Sequence, residues 1–212
     1  MPLSLVGRDS SERFYAAQVA RFGGPVLVLG SADGALAFGL AAKGHAVVGV
    51  EPSDFLMAEA EARRAEAPAA SKVELIRTDL RSLRLDRRFK VVLAPKGSLA
   101  LLPGVDALDA VLETVARHLD QEGGFVFEVT GLSGPASVEG PGGRSLFTAH
   151  LRERKGAQAI RRVRRQTLTA VDLESALAAS GLEARERYGD FDGRPWDERD
   201  DRQIVIAGLK EA

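Results

Sequence analysis

The sequence predicts an α/β fold built on a parallel sheet, and three observations carry that prediction. The first is the run Val26-Leu27-Val28-Leu29, which ends at Gly30-Ser31-Ala32-Asp33-Gly34. β-Branched and leucine residues bounded by a glycine turn read as a strand buried on both faces. The second is a helical pattern after that turn, leading into Val47-Val48-Gly49-Val50-Glu51, another apolar run that ends in an acid. The third is the repetition of this alternation up to Thr130. It implies right-handed crossovers between parallel strands.

The elements follow in order. Ser10 or Ser11 can cap a helix to Phe22 with Phe14, Val19 and Phe22 on its apolar side, and Gly23-Gly24-Pro25 breaks it. Strand one covers 26–29. A helix over 33–43 ends at Gly44 in a left-handed cap. Strand two covers 46–50, a helix runs from Pro52 or Ser53 to 65, and strands follow at 73–77 and 89–94, the latter stopped by Pro95. A helix over 105–119 and a turn at Gly123-Gly124 lead to strand five at 125–129.

After Thr130 the texture changes. Residues 131–143 are rich in Gly, Pro and Ser and read as a loop. Segments 146–154 and 160–167 read as a hairpin around Lys155-Gly156. Thr169 and Asp172 resemble a capping box that opens a helix ending at Gly181, and strands at 183–188 and 203–208 close the chain. Between them lies a polar loop with Phe191 and Trp196. The chain reads as one domain over 1–212: a helical lead-in at 10–22, a core at 25–130, a basic hairpin at 144–168, and a C-terminal helix with two strands at 169–209.

Composition bounds the function. A length of 212 residues with 45% hydrophobic and 28% charged residues suits one soluble α/β domain. A net charge of -1 excludes a nucleic-acid polycation, and the absence of cysteine excludes disulfides, zinc-thiolate sites and cysteine nucleophiles. Three dispersed histidines do not make a metal site, so no metal is expected. No apolar run approaches the roughly 20 residues of a membrane span, and the polar N-terminus is too short for a secretory signal. A cytoplasmic location without membrane association is the expectation; the oligomeric state is not legible.

The glycine turn sets the chemistry. Backbone N–H groups at such a turn and helix start can hold an anionic or polar ligand. An acid at the tip of the next strand can accept hydrogen bonds from two ribose hydroxyls. Together they point to a nucleoside-containing cofactor.

Several further segments carry a family likeness: Phe14-Tyr15 and Gly23-Gly24-Pro25 before strand one, Gly30 and Gly34 in the loop, and Gly44 to Ser53 across strand two with Glu51 and Pro52. Thr78-Asp79-Leu80, Ala94-Pro95-Lys96-Gly97-Ser98-Leu99, His118-Leu119 with Gly123-Gly124, and Tyr188 to Gly193 complete the set. In their order and spacing they resemble class I S-adenosylmethionine (SAM)-dependent methyltransferases of the small bacterial type, over nearly the full length. The resemblance implies a Rossmann-like, mostly parallel seven-stranded sheet with helices on both faces. Its last strand is antiparallel and inserted beside strand five. It implies SAM as cofactor, held by Gly30, Ser31, Ala32, Asp33, Gly34, Glu51, Pro52, Asp79, Leu80 and Pro95. It implies direct methyl transfer by proximity and alignment, without a metal.

The chain departs from the family pattern at five places. Val28 stands where an acid is usual, Ala32 replaces the middle glycine, Lys96 follows the strand-four proline, Lys90 replaces an acid, and the segment between strand five and the last helix is short. Ala32 disfavours a positive φ by roughly 1 kcal/mol or more. Lys96 adds a cation near the cationic sulfonium, which an acid such as Asp33 can neutralise.

Each candidate has two readings. Glu51 is a ribose acceptor or a solvated acid at a helix start. Asp79 receives an adenine amino group or closes a turn. Asp33 caps a helix, holds the amino group of SAM, or does both. Lys96 binds an anion or positions the acceptor, or is a snorkelling surface lysine. His45 and His118 read as structural, and His150 in the hairpin is the weak candidate for a general base. Between residues 141 and 170 eight basic residues (Arg144, Arg152, Arg154, Lys155, Arg161, Arg162, Arg164, Arg165) face one acid, Glu153. This is a surface for an acidic partner or a charged edge that resists aggregation. Phe191 and Trp196 line an acceptor pocket or pack their loop.

Three functions fit. The leading one is methyl transfer from SAM to an oxygen or nitrogen of a small-molecule acceptor. The second is a non-catalytic relative acting through a protein or nucleic-acid partner. The third, a nicotinamide-dependent oxidoreductase, ranks lower because Gly30 to Ala35 lacks the second glycine of G-x-G-x-x-G.

Overall fold

A computed structural model describes the backbone of residues 4–103, 105–130, 139–140, 143–154, 157–166 and 170–211, and the side chains of residues 10–103, 106–129 and 173–211. The elements run α1 (Ser4–Phe22), β1 (Val26–Leu29), α2 (Ala35–Ala42), β2 (Val47–Val50), α3 (Asp54–Arg64), β3 (Val73–Ile76), β4 (Phe89–Ala94), α4 (Val105–His118) and β5 (Leu119–Thr130). They continue with β6 (Glu139–Gly140), β7 (Gly143–Arg154), β8 (Ala157–Gln166), α5 (Ala170–Ala179), β9 (Leu182–Tyr188) and β10 (Arg202–Leu209).

Seven strands form one sheet in the order β3-β2-β1-β4-β5-β10-β9. Strands β1 to β5 pair in parallel, and β10 is antiparallel to both β5 and β9. The expected mostly parallel sheet with its last strand inserted beside strand five is therefore present. A second sheet joins β6, β7 and β8, with β7 and β8 antiparallel from Ser145↔Gln166 to Arg154↔Ala157.

Alternation along the strands builds a core on each face. Val26, Val28, Val91, Leu93, Val126, Ile204 and Ile206 face α1 and α2, where Phe14, Tyr15, Val19, Leu36 and Phe38 are buried. Leu27, Leu29, Val92, Phe125, Phe127 and Val205 face α4 and α5 with Leu108, Val111, Leu112, Leu173 and Leu177. The short strands β1 and β2 are buried throughout because helices cover both faces.

The structure departs from the sequence reading at several boundaries. Helix α1 begins at Ser4 rather than Ser10. Only Gly7 opposes this extension, and its cost of about 1 kcal/mol is too small to end a helix. Helix α2 begins at Ala35 rather than 33, because Gly34 is left-handed (φ 73). Strand β5 begins at Leu119 and runs through Gly123-Gly124. Phe89 pairs with Leu119 and Val91 with Gly124, so the segment 120–123 bulges opposite Lys90. A Cβ on Gly124 would meet the Phe22 ring at 2.6 Å, so close helix approach, not a turn, requires that glycine. Lys90 pairs with Asp120 at 2.8 Å across this bulge.

Two 3-10 turns, Ala70–Lys72 and Ser98–Leu101, precede β3 and follow β4. The turn residues Lys155 and Gly156, the loop positions 131–138 and 141–142, Thr169 and the Asp172 side chain lie outside the described residues. Among the described residues no helix is long and apolar enough to cross a membrane.

His118 closes α4 and is fully buried. Its Nε2 accepts from the Leu85 N–H at 2.9 Å, so the proton rests on Nδ1, 2.7 Å from the Thr114 carbonyl. Burial depresses its pKa, with Arg117, Arg84 and Arg88 adding to the effect and the Thr114 carbonyl opposing it. The unfolded chain then takes up the proton more readily than the folded one. Stability should be full above pH about 6.5 and fall as the pH drops from there toward the folded value. Thermal melts across that window test this, and His118→Gln should flatten the dependence.

Candidate functional site

The C-terminal ends of β1, β2 and β4 converge on one edge of the sheet, and three left-handed residues shape the loop there. Gly30 (φ 74), Ala32 (φ 50) and Gly34 (φ 73) alternate with ordinary residues. Ala32 therefore carries the strain expected of a non-glycine residue, about 1–2 kcal/mol. Gly30 is required twice: by its φ, and because a Cβ there would sit 2.8 Å from the Ser98 Cβ. The Ser98 hydroxyl donates to the Leu29 carbonyl at 3.3 Å, drawing the turn after β4 onto the end of β1.

Glu51 holds this corner together. Its Oε2 accepts from the Ala32 N–H at 2.9 Å and its Oε1 from the Ser53 N–H at 3.0 Å. The residue is only 6% exposed. The reading of Glu51 as a solvated acid is thereby excluded. Each carboxylate oxygen still has capacity for one more donor. Pro52 is exposed beside it, and the Ser53 hydroxyl caps α3 by accepting from the Leu56 N–H at 3.4 Å. Ser31 is buried at 5%, and its hydroxyl has no hydrogen-bond partner.

Asp33 turns away from the loop interior. It pairs with Arg63 of α3 at 2.8 Å, while its approach to the Ala35 N–H is long at 3.5 Å. Burial pushes its pKa up, but Arg63, the Ala35 N–H and Lys96 outweigh this and hold it below the ordinary value. Asp33 thus also ties the loop to α3. Asp79 is held by Arg81, whose Nε and Nη2 lie 2.9 and 2.6 Å from its oxygens, and this lowers its pKa. The Leu80 side chain packs in the core with Leu27 and Leu83.

Pro95 is buried at the start of the turn after β4, where Lys96 (φ 57) and Gly97 (φ 65) are left-handed in succession. Lys96 is exposed and close enough to act on Asp33 electrostatically. Val28 is fully buried against α1 and supplies no charge. His45 lies at the opposite edge, lining a cleft of about 540 Å³ with Glu12, Arg13 and Lys43. The His150 side chain and those of the hairpin arginines lie outside the described residues; the β8 backbone runs against the 98–101 turn.

Sequence reasoning missed a second polar group at this edge. Glu128 on β5 is 6% exposed, and Arg202 of β10 places Nε 3.7 Å from it. Arg202 also meets Asp190 at 2.6 Å and lies over the Phe191 ring, 5.1 Å from its centroid. Tyr15 of α1 is 2% exposed, and its hydroxyl makes no hydrogen bond of ordinary geometry. Burial and the charge of Glu128 push its pKa well above the ordinary phenol value. The available signal was the lone acid in Phe125-Val126-Phe127-Glu128-Val129. Phe55, in the first turn of α3 beside the Glu51 corner, was also missed and is 54% exposed.

This architecture recurs in solved structures. The CcbJ methyltransferase from Streptomyces caelestis superposes with a TM-score of 0.82 at 23% identity, covering 95% of this chain and 90% of that one. An S-adenosylmethionine-dependent methyltransferase from Clostridium acetobutylicum ATCC 824 gives 0.78 at 14% identity, covering 96% and 92%. The glycopeptide N-methyltransferase MtfA, solved with SAM, gives 0.69 at 23% identity, covering 95% and 93%. No curated protein matches the chain. The fold is that of the class I SAM-dependent methyltransferases. Residues 26–123 match a family model described as a methyltransferase domain.

Gly30→Ala combines a left-handed backbone with a Cβ clash and should cost roughly 2 kcal/mol or more. Chemical denaturation checks this. Adding Ser98→Gly should recover the clash but not the backbone strain.

Proposed function

We propose that the protein is an enzyme that transfers the methyl group of SAM to an oxygen or nitrogen of a small-molecule acceptor, in the cytoplasm. The observation that carries the reading is the Ser31 hydroxyl. A buried hydroxyl without a partner costs about 1–3 kcal/mol, and such a group calls for an explanation in a ligand or water. It lies in the loop whose backbone Glu51 holds, and Glu51 keeps hydrogen-bonding capacity of its own. These donors and acceptors fit a polar nucleoside.

In this reading Gly30, Ser31, Ala32, Asp33 and Gly34 form the cradle, and Glu51 with Pro52 takes the ribose. Asp79 and the Leu80 backbone face the adenine, whose flat ring the exposed Phe55 can cover. Pro95 fixes the turn that borders the methyl donor. SAM supplies an electrophilic methyl on a sulfonium, so the chain's own task is to hold the acceptor nucleophile in line and keep water out. Lys96 remains at the rim, where Asp33, already paired with Arg63, offsets part of its charge. The hairpin arginines suit an acidic group on the acceptor, because β8 runs against the 98–101 turn.

Calorimetric titration of the cofactor-stripped protein with SAM, S-adenosylhomocysteine and NAD tests the proposal. Micromolar affinity for the adenosyl compounds, none for NAD, and loss of binding in Glu51→Ala are expected. No adenosyl binding up to millimolar ligand would replace this reading with the partner-binding one. Ser31→Ala should weaken SAM about tenfold without lowering the melting temperature, because the folded protein gives that hydroxyl no bond to lose.

A further inference from the structure

A cavity of about 360 Å³ lies between α1 and the loop that follows β9. Phe14, Ala17 and Gln18 of α1 line one side, and Tyr188, Phe191 and Asp192 line the other. Its volume falls within the range of small-molecule sites.

The walls are aromatic and fixed. The Phe14 ring meets Tyr188 at 5.6 Å and Phe191 at 5.8 Å, at interplanar angles of 75° and 68°. Phe191 is backed by Arg202, 5.1 Å from its centroid, and by the Tyr15 ring at 5.8 Å; neither of these lines the cavity. The loop is braced from within. The Gly193 N–H donates to the Asp190 carbonyl at 3.2 Å, and the Phe191 N–H to the Asp190 carboxylate at 2.8 Å. A wall held this way needs little further ordering when a guest enters.

The polar groups narrow the guest. The Tyr188 hydroxyl is engaged, because it donates to Glu186, which Arg21 also holds. Gln18 is different. It is 9% exposed, and its Oε1 is buried with no hydrogen-bond partner among the described residues. A buried acceptor left without a donor destabilises the fold. The last torsion of a glutamine is soft, so a donor in the cavity can draw that oxygen towards itself. Arg13 and Asp192, both exposed in the lining, carry opposite charges, so the mouth favours neither sign.

We infer that this cavity binds a neutral, flat aromatic ring bearing one hydrogen-bond donor, with the ring against Phe14, Tyr188 and Phe191 and the donor on the Gln18 amide oxygen. Such a ring gains the same edge-to-face contacts that the wall rings make with one another. The site shares no residue with the loop from Gly30 to Gly34 or with Glu51. The inference therefore goes beyond methyl transfer and holds whether or not SAM binds.

Indole and benzofuran share one shape and differ in one group: indole has an N–H donor where benzofuran has a ring oxygen. Each is titrated into the full chain by calorimetry, with the Gln18 side-chain amide followed by NMR. Indole should bind at least tenfold tighter than benzofuran and shift the Gln18 amide signals. Gln18→Met should abolish that preference by weakening indole alone, without lowering the melting temperature. Phe191→Leu should weaken both ligands. The inference is overturned if indole does not bind by millimolar concentration, if benzofuran binds as tightly, or if Gln18→Met leaves the preference intact. Indole binding that neither variant alters would lie elsewhere and overturn it too. Should Phe191→Leu fail to fold, the comparison of the two ligands on the unaltered protein and on Gln18→Met still decides.

Discussion

Glu51 clamps the loop after β1 to the start of α3, adding to the Gly30 and Ser31 N–H bonds that the Val50 carbonyl already accepts. One oxygen holds the Ala32 N–H of the loop after β1, and the other holds the Ser53 N–H at the start of α3. Ala32 sits in a left-handed conformation that costs energy, and the carboxylate is the bond that compensates it. From that clamp the rest follows. The loop is closed enough to bury Ser31, Gly34 can start α2, and α3 leaves at an angle that brings Arg63 back to Asp33. An acid that the sequence offers as a ligand group is therefore also the keystone of its own site.

The surroundings of Glu128 are built by different forces. There the rings of Phe14, Tyr15, Tyr188 and Phe191 pack edge to face or tilted, with centroids 5.6–6.3 Å apart, joining α1 to the end of β9 and the loop beyond it. Such pairs add about 0.5–1.5 kcal/mol each beyond simple burial. Arg202 then extends this apolar wall into the polar triad with Glu128 and Asp190. One end is set by hydrogen bonds to backbone, the other by aromatic packing around a charge.

The strands and the glycine loop were legible because their signals are local. Apolar runs with sharp ends define β1, β2 and β4 within a residue, whereas the left-handed Gly34 falls where the sequence predicts helix. Glu51 was legible as a site residue from its place at a strand tip, but its bonds to Ala32 and Ser53 were not, since they depend on how α3 leaves β2. The ion pair of Asp33 with Arg63 was not legible because the two lie thirty positions apart. Glu128 and Tyr15 escaped for the same reason: only the sheet order and the lie of α1 bring them together. The two glycines in β5 look like a turn in the sequence. Packing of Gly124 against Phe22, and of Gly123 against Leu119 and the Lys90 carbonyl, makes them part of a bulged strand instead.

The sheet order also says something about how the chain emerges during synthesis. β10 follows β9 in the chain, yet it fills the slot between β5 and β9. Until its residues leave the ribosome, β5 remains an open edge carrying Phe125, Val126 and Phe127, a run that invites pairing with another chain. A nascent chain stalled short of Arg202 would present that edge for as long as it waits. A truncation there would lose more than one strand: it would leave unfinished a half-sheet that the N-terminal helix needs for its own seat.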